Sequence, residues 1–195
     1  MQFFENELFH IYNRGNKQQR IFSKQENYLS FLKKVRQHIQ PYCDILAWYL
    51  MPNHFYFQVY ADKRTIATKV LAGTARNVLS EWIRNLLSSY TQAINKQNNT
   101  TGSLFQQNTK AKPISKGSNL YDQVCFHYIH QNPMKAKLVN KMEDWEYYSF
   151  KDYSGNRNGS LANKGVAIRI LGLDMTVFYE NSYKLLDDED LNNIL

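Results

Sequence analysis

Trp48-Tyr49-Leu50-Met51-Pro52-Asn53-His54-Phe55-Tyr56-Phe57 is the stretch that decides the predicted fold. Two apolar or alternating runs, residues 43–50 and 53–60, meet here at a proline, which predicts two neighbouring strands. Because side chains alternate between the faces of a strand, the second run would have one polar face and one core face. The polar face would carry His54, Tyr56, Gln58 and Tyr60, and the core face Phe55, Phe57 and Val59.

The residues before this pair predict one more strand and a helix. Residues 8–13 are aromatic and β-branched, and the Arg-Gly-Asn sequence at 14–16 would end them in a turn. Ser23 and Glu26 have the spacing of a capping box, and apolar residues then recur at helical spacing until Pro41. We therefore expect a first strand followed by a first helix.

The residues after the pair predict a second helix, a loop and a fourth strand. Apolar residues recur at helical spacing over residues 65–90, whereas residues 95–102 are polar and predict a loop. Residues 104–114 predict the fourth strand, which would end near Pro113.

A third helix completes the predicted order of elements. Ser118 or Asn119 can cap it, and we expect it to end at Asn132 because a residue that precedes proline disfavours helical angles. The order strand, helix, strand, strand, helix, strand, helix predicts an α+β fold, a ferredoxin-like sandwich with an antiparallel sheet and helices on one face. After Trp145 the periodicity is lost. The tail has a Gly-, Asn- and Ser-rich loop at 154–165, a short helical candidate at 166–172 and an acidic run at 187–190.

The charge of the chain indicates a polyanionic partner. There are 24 Lys and Arg against 17 Asp and Glu, which gives a formal net charge of +7 and a pI near 9.3. Residues 151–195 contain five Lys or Arg and seven Asp or Glu, which leaves 19 and 10 for residues 1–150. The positive charge therefore belongs to the first part of the chain, as expected of a nucleic-acid-binding surface.

The cysteine content and the apolar runs indicate where the protein works. Cys43 and Cys125 are too few for a disulfide framework and lack the paired spacing of a zinc site, so we expect a reducing compartment. No uninterrupted apolar run reaches the ~18 residues of a membrane span, and the amino terminus does not resemble a signal peptide. We therefore expect a cytoplasmic protein with no membrane partner.

A few residues have the chemistry of a DNA-cutting site. His54 and Tyr56, two positions apart on a strand, would point the same way, and imidazole and amide oxygens are reasonable ligands for Mg²⁺ or Mn²⁺. Tyr128 would need such a cation to attack a phosphate, because a neutral phenol with a pKa of ~10 is a poor nucleophile. Asn132, one helical turn later, would share the face of Tyr128, and Gln131 is the alternative. A lone strand histidine is nevertheless more often a hydrogen-bonded structural residue than a ligand.

Four blocks of the sequence occur in an order that resembles a known family. They are Leu8-Phe9-His10-Ile11-Tyr12-Asn13-Arg14-Gly15, Met51-Pro52-Asn53-His54-Phe55-Tyr56, Gly102-Ser103-Leu104-Phe105-Gln106 with Lys110-Ala111-Lys112-Pro113, and Tyr128-Ile129-His130-Gln131-Asn132-Pro133-Met134-Lys135-Ala136 with Leu138-Val139. These blocks resemble the REP-associated tyrosine transposases, single-tyrosine members of the HUH endonuclease superfamily. The resemblance covers about residues 3–153.

The resemblance implies a catalytic domain of this type at residues 1–153 and an extension of unknown role at 154–195. It implies a metal-dependent endonuclease and strand transferase that cleaves single-stranded or hairpin DNA through a 5′-phosphotyrosine. Tyr128 would be the nucleophile, and His54 with Asn132, or with Gln131 instead, would hold Mg²⁺ or Mn²⁺. The family's second histidine corresponds to Tyr56, and a neutral phenol is a weaker ligand than imidazole.

The tyrosine at position 56 leaves three outcomes open. Tyr56 or a water completes the coordination sphere, one of the other histidines replaces it, or the protein has kept hairpin binding and lost efficient cleavage. The other candidate histidines are His10, His127 and His130. Relatives with this chemistry act as monomers or as dimers, and the helix patterns do not decide between a monomer and a homodimer.

Basic and aromatic residues near these blocks predict the DNA-contacting surface. Four cations lie in or beside the blocks and are expected to contact phosphates: Arg14, Lys110, Lys112 and Lys135. Four aromatic residues are candidates for stacking on unpaired bases: Tyr12, Trp48, Tyr49 and Tyr60. A single exposed lysine is more often only a solvated surface residue, so the prediction rests on their grouping.

Overall fold

The computed structural model describes residues 1–71, 73–114 and 119–184, which form strands and helices. The strands there are β1 (Leu8–Arg14), β2 (Asp44–Met51), β3 (His54–Tyr60), β4 (Thr68–Leu71), β5 (Thr74–Asn77) and β6 (Lys110–Ile114). The α-helices are α1 (Gln25–His38), α2 (Val78–Asn98), α3 (Asn119–Lys135), α4 (Phe150–Tyr153), α5 (Lys164–Leu171) and α6 (Phe178–Tyr183). Strands β2, β3, β1 and β6 form, in that order, an antiparallel sheet, which confirms the predicted ferredoxin-like α+β fold.

The two neighbouring strands predicted around Pro52 are β2 and β3, and their bounds agree with the prediction to within one residue at each end. Their register pairs Met51 with His54 and Tyr49 with Tyr56. This pairing fixes which side chains share a face of the sheet, because a slip of one residue would turn every side chain of a strand over.

One face of the sheet is the core, and α1 and α2 pack against it. Phe55, Phe57 and Val59 are at most 4% exposed, as predicted for the core face of β3. The ring of Phe55 lies 5.3 Å from that of Phe31 in α1, measured between centroids. Burial of each large apolar side chain contributes roughly 1.5–3 kcal/mol, so these rings hold the two helices on the sheet.

The third helix, α3, covers the opposite and more polar face. The side-chain amide of Gln58 in β3 donates to the carbonyl oxygen of Asp122 in α3 over 3.0 Å. The ring of Tyr128 in α3 lies 6.4 Å from that of Tyr56 in β3. The predicted placement of the helices on one face of the sheet therefore holds for α1 and α2 but is wrong for α3, which carries the candidate nucleophile and covers the other face.

The predicted helix over residues 65–90 is wrong at both ends. Its first part forms the antiparallel hairpin of β4 and β5, with Gly73 in a left-handed conformation at φ 75°. Asn77 then begins α2 by accepting a hydrogen bond from the backbone N–H of Ser80 over 2.9 Å. At the other end α2 runs on through the predicted loop to Asn98 and ends where Asn99 adopts φ 52°.

Two other predicted element boundaries also need correction. The N-terminus of α1 does not use Ser23 and Glu26 as a capping box, because the side-chain oxygen of Asn27 instead accepts from the backbone N–H groups of Ser23 and Lys24. The predicted strand at 104–114 is regular only as β6, and before it Phe105 forms an isolated bridge with Gly15.

The third helix extends one turn beyond its predicted end at Asn132. Pro133 lies inside α3, and the backbone N–H groups of Ala136 and Leu138 continue the turn by donating to the carbonyls of Asn132 and Pro133. Of the two predicted caps, Asn119 is the first residue of α3, and Ser118 lies outside the described residues.

The described part of the carboxyl-terminal extension packs on the sheet and on α3. The backbone N–H of Asn163 donates to the carbonyl of Ile45 in β2, and the side-chain amide of Gln131 donates to the carbonyl of Ser182. The short helix predicted at 166–172 is α5, which ends at Gly172 with φ 63°. The acidic run at 187–190 lies outside the described residues.

No helix in the described ranges combines the length and the apolar character that a membrane span requires.

Acidification from about pH 7 to about pH 5 is expected to loosen the contact between α3 and α6. Burial lowers the pKa of His127 from 6.5 to about 4, and its Nδ1 lies 3.1 Å from the hydroxyl oxygen of Ser182 in α6. Since folding depresses this pKa, the contribution of the neutral imidazole is complete above pH 6.5 and is lost as the pH falls toward about 4. At pH 5 the loss is about 2 kcal/mol.

Urea denaturation at the two pH values measures this effect. The free energy of unfolding should fall less with pH for His127→Gln, which cannot titrate, than for the unaltered protein. An equal fall in both would show that His127 is not the group responsible.

Candidate active site

The polar face of the sheet carries a stack of three aromatic rings beneath α3. Tyr56 stacks on Tyr12 of β1, with ring centroids 4.9 Å apart and an interplanar angle of 5°. Its other neighbour is Tyr49 of β2, at 4.8 Å and 26°. The register of the strands causes this arrangement, because Tyr56 lies directly opposite both residues. With Tyr128 close by on α3, the structure brings the predicted strand and helix residues together at one place.

His54 is held in one orientation by two hydrogen bonds. Its Nδ1 lies 2.6 Å from Oδ1 of Asn53, and its Nε2 lies 3.1 Å from the hydroxyl oxygen of Tyr49. An amide oxygen can only accept, so Nδ1 carries the proton and Nε2 accepts from Tyr49. Burial lowers the pKa of His54 to about 4, and the charge of Arg14 adds to this shift. The imidazole is therefore neutral at pH 7.

Tyr56 is a neutral phenol. Burial raises its pKa well above the usual range, and the neighbouring Tyr128 adds to the shift. Tyr12 and Tyr49 flank its ring on the sheet. A neutral phenol in this position is a weak metal ligand, so the geometry does not favour the ligand role considered for Tyr56.

Tyr128 and Asn132 lie one turn apart on α3, as their spacing predicts. Nδ2 of Asn132 donates to the carbonyl oxygen of Tyr128 over 3.0 Å, and the Asn132 side chain also hydrogen-bonds to the phenol. Burial raises the pKa of Tyr128, and the hydrogen bond from Asn132 lowers it in part. The residue is 8% exposed, so its hydroxyl is protonated at neutral pH and largely shielded from water.

Gln131 lies outside this group of residues. It is fully buried, and its Nε2 donates to the carbonyls of Ser182 and Lys184 in the carboxyl-terminal part of the chain. The alternative in which Gln131 replaces Asn132 as a ligand therefore needs correction, because the docked extension turns this side chain away from the polar face of the sheet.

Of the three other candidate histidines, one contacts the aromatic stack. The ring of His10 lies 4.6 Å from that of Tyr56, and burial together with the charge of Lys112 lowers its pKa to about 3. Both of its ring nitrogens are buried and have no hydrogen-bond partner among the described residues. His127 and His130 face Ser182 and Ser149 instead, so they do not extend the site.

The side chains at this site supply few donors for a divalent cation. Nowhere in the described ranges do three or more His, Cys, Asp or Glu side chains form a cluster that could hold a metal ion. His54 could offer Nε2 if it gave up the hydrogen bond from Tyr49, and Asn132 could offer Oδ1. These neutral donors fit a loosely held hard cation, for which water and phosphate oxygens supply the remaining ligands.

A cleft of about 440 Å³ opens beside His54 and Tyr56 and has a cationic rim. Arg14, which lies opposite His54 in the sheet, and Lys110, which lies opposite Tyr12, both line it. In a cleft of this kind, arginine and lysine attract phosphates while the walls exclude water. We call this cleft, which is formed by Arg14, Lys110 and the other residues that line it, the cationic cleft.

The other two predicted phosphate contacts, Lys112 and Lys135, do not line the cleft. Lys112 follows Lys110 by two residues on β6, and its ammonium lies 6.0 Å from the ring centroid of Tyr12. Lys135 is the last residue of α3, three positions after Asn132.

Two of the four aromatic residues predicted to stack on unpaired bases are buried in the core. Trp48 and Tyr49 are at most 3% exposed and belong to the core, so neither can stack on a base. Tyr60 is at the far end of β3, where its hydroxyl donates to Asn6. Tyr12, which lines the cationic cleft, is the one of the four that is placed to meet a base there.

The sequence analysis did not identify the residues that orient His54 and anchor the wall of the cleft. Tyr49 and Asn53 orient His54, and Asn13 anchors the loop that forms one wall of the cleft. The Asn13 amide donates to the carbonyl of Gln106 over 3.1 Å and to the hydroxyl of Thr109 over 2.9 Å. Asn13 and Asn53 both lie within the sequence blocks that resemble the family, and their position beside a turn was the available signal.

Together these features define an antiparallel α+β sandwich with a buried tyrosine on its third helix and a strand histidine at the edge of a cationic cleft, both of which contact the ring of Tyr56. Among solved structures, the chain is similar to that of a REP-associated tyrosine transposase bound to a REP hairpin. The TM-score is 0.57 at 16% sequence identity, and the match covers 84% of this chain and 92% of the other. At this level of identity the likeness establishes the fold. Neither a protein-family model nor a curated protein sequence matches the chain.

Proposed function

We propose that this protein binds single-stranded or hairpin DNA in the cationic cleft and cleaves and rejoins it through Tyr128. The observation that carries the proposal is the position of Tyr56, whose ring lies 6.4 Å from that of Tyr128 and 5.5 Å from that of His54. His54 and Tyr56 also line the cleft that Arg14 and Lys110 make cationic. The fold neighbour was solved with a REP hairpin, which supports DNA as the partner. The proposed location is the cytoplasm, with which the free thiols of Cys43 and Cys125 agree.

In the proposed reaction the phenol oxygen of Tyr128 attacks a phosphodiester. The new bond joins that oxygen to phosphorus, the bond from phosphorus to the 3′ oxygen breaks, and the proton lost by the phenol is balanced by one gained at the 3′ oxygen. The product is a 5′-phosphotyrosine and a free 3′-hydroxyl, and the reverse attack reseals the strand. Asn132, hydrogen-bonded to the phenol, orients the attacking oxygen and favours its ionised form.

The proposal includes Mg²⁺ or Mn²⁺, held by His54 and Asn132. When bound, the cation would polarise the phosphate and stabilise the leaving oxygen. The described residues place no carboxylate in this donor set. We therefore expect weak binding of the cation by the free protein and tighter binding with DNA, whose phosphate adds a charged oxygen ligand.

A second candidate function is hairpin binding without useful cleavage. The observation that favours it is Tyr56, a neutral and stacked phenol at the position where the resembled family has a second histidine. DNA affinity does not distinguish the two functions, whereas formation of a covalent adduct does.

Arg14→Gln is expected to weaken hairpin binding about 5-fold and to reduce the slope of log affinity against log salt by about one. The Arg14 side chain is exposed at the rim of the cationic cleft, so its loss should remove a phosphate contact without unfolding the protein. Fluorescence anisotropy with a labelled hairpin over a range of salt concentrations measures both quantities.

Lys33→Gln is the matched control, because Lys33 is exposed on α1 and changes the net charge by the same amount. It should leave the salt slope almost unchanged. Equal effects of the two substitutions would mean that the cleft is not the phosphate-binding surface.

A further inference from the structure

The hairpin of β4 and β5 is a two-stranded ribbon with exposed residues along both strands. Residues 66–70 and 73–76 are all exposed, and Val70 is 69% exposed. A ribbon of two strands is only marginally stable in water, since it lacks a third strand or a helix to cover a face. Such an element is better explained by a partner that covers it than by a role in the core.

The charges of this ribbon are of one sign. Residues 66–77 contain Lys69 and Arg76 and no acidic residue, and the register places these two directly opposite each other. Like charges in this position destabilise a strand pair. Arg76 is compensated by Glu81 of α2, 3.2 Å away, but Lys69 makes no ion pair within the described ranges. A polyanion would relieve the repulsion, so charge complementarity selects the kind of partner.

The ribbon and the cationic cleft lie near opposite ends of α2. It leads directly into the first residue of α2, whereas the last turns of that helix adjoin the loop that bounds the cleft, where the amide of Asn95 donates to the carbonyl of Gly102. The 21 residues of α2 span about 31 Å. That length corresponds to about nine base pairs at ~3.4 Å each.

A groove runs from the cationic cleft along α2 to the first turn of this helix, which directly follows the ribbon. It has a volume of about 610 Å³, follows α2 from Ser80 to Asn95, and shares Asn13, Gln106 and Asn108 with the cationic cleft. A nucleic acid that occupies the cleft can therefore continue along this side of the protein toward the ribbon.

We propose that the β4–β5 ribbon binds the duplex stem of a DNA hairpin whose unpaired end lies in the cationic cleft. The inference rests on the proposed function, because it requires DNA in the cleft. The major groove of B-form DNA, about 12 Å wide, admits a two-stranded ribbon. Lys69 contacts a stem phosphate about nine base pairs from the cleft, and the ribbon thereby measures stem length.

Lys69→Glu tests this proposal, because it has opposite effects on the ribbon and on DNA binding. The new carboxylate faces Arg76 across the strands, so it should stabilise the ribbon as an opposite-charge pair. It should nevertheless weaken binding of a hairpin with a stem of about 12 base pairs by about 10-fold at low salt. Binding of a hairpin with the same unpaired end and a stem of about four base pairs should change less than about 2-fold. The melting temperature should not fall.

Lys33→Glu serves as the control for net charge, and light scattering reports the oligomeric state of each variant. The stem-dependent loss with Lys69→Glu alone supports the proposal. Equal losses for both substitutions, or for both stem lengths, would overturn it and leave the proposed function intact. Failure of the unaltered protein to bind either hairpin would overturn the proposed function as well. A change of oligomeric state specific to Lys69→Glu would assign the ribbon to a second copy of the chain and overturn the DNA contact.

Discussion

Tyr128→Phe is expected to abolish the covalent adduct between the protein and hairpin DNA, to below about one thousandth of the unaltered rate. The substitution removes only the attacking oxygen and keeps the ring through which α3 contacts Tyr56 of β3. DNA affinity should therefore change less than about 3-fold. Incubation with a labelled hairpin and Mn²⁺, followed by denaturing electrophoresis, separates the adduct from bound but unreacted DNA. An adduct that persists in Tyr128→Phe would remove Tyr128 from the reaction.

Tyr12→Phe is the matched control, since it deletes the hydroxyl of a tyrosine in the aromatic stack that Tyr128 contacts through Tyr56. It should leave the adduct in place. Tyr56→His addresses the second candidate function, because it restores an imidazole where the resembled family has one. If the missing ligand limits cleavage, this change should raise the adduct yield and Mn²⁺ affinity together. An unaltered protein that binds the hairpin and forms no adduct would favour binding without cleavage.

Arg157→Met is expected to cost 3–5 kcal/mol, the approximate cost of leaving a buried charge unpaired, which is the largest stability effect of any substitution considered. Its guanidinium pairs with Asp152, with Nε 2.6 Å from Oδ1, and the Asp152 side chain is only 1% exposed. The same guanidinium donates to the carbonyls of Glu146 and Tyr148 and lies 5.6 Å from the ring centroid of Trp48. Arg157 thus holds the loop after α4 in place through its contacts with Asp152, with the segment at 146–148 and with Trp48 of β2. Chemical denaturation measures the loss.

Lys151→Met is the control, because it breaks the ion pair of Lys151 with Glu146, whose side chain is 54% exposed. That pair is worth about 1 kcal/mol or less, since water screens it. The double substitution Asp152→Asn with Arg157→Met should recover part of the loss, as no buried charge remains. Equal destabilisation by Lys151→Met and Arg157→Met would contradict the role assigned to the buried pair.

Strands β2 and β3 could be predicted from the sequence because every local signal there agrees. The proline at 52 separates two runs, and the alternation of residues 54–60 assigns each side chain to a face. The hairpin of β4 and β5 was missed because its apolar residues also fit helical spacing. The deciding features were Gly73, which adopts a positive φ, and Asn77, which caps α2. A single glycine or helix-capping residue can therefore decide where a helix begins, even where the apolar periodicity of about a dozen residues favours a longer helix.

The arrangement of the candidate site could be predicted only for residues that lie on the same helix or strand. The spacing of Tyr128 and Asn132 places them on one face of a helix, as observed. The hydrogen bond from Tyr49 to His54 depends on the register of β2 and β3, which a sequence does not specify residue by residue. Gln131 shares the spacing of a ligand but bonds to the docked extension, whose position no local pattern predicts.

Peptide mapping of the covalent adduct tests the central claim most directly. The unaltered protein is incubated with Mn²⁺ and a hairpin that has an unpaired 5′ end, digested, and analysed by mass spectrometry for a nucleotide-bearing peptide. The account predicts that the modified residue is Tyr128. Modification of Tyr56, Tyr12 or another residue, or no modification at a protein concentration that saturates the hairpin, would contradict it.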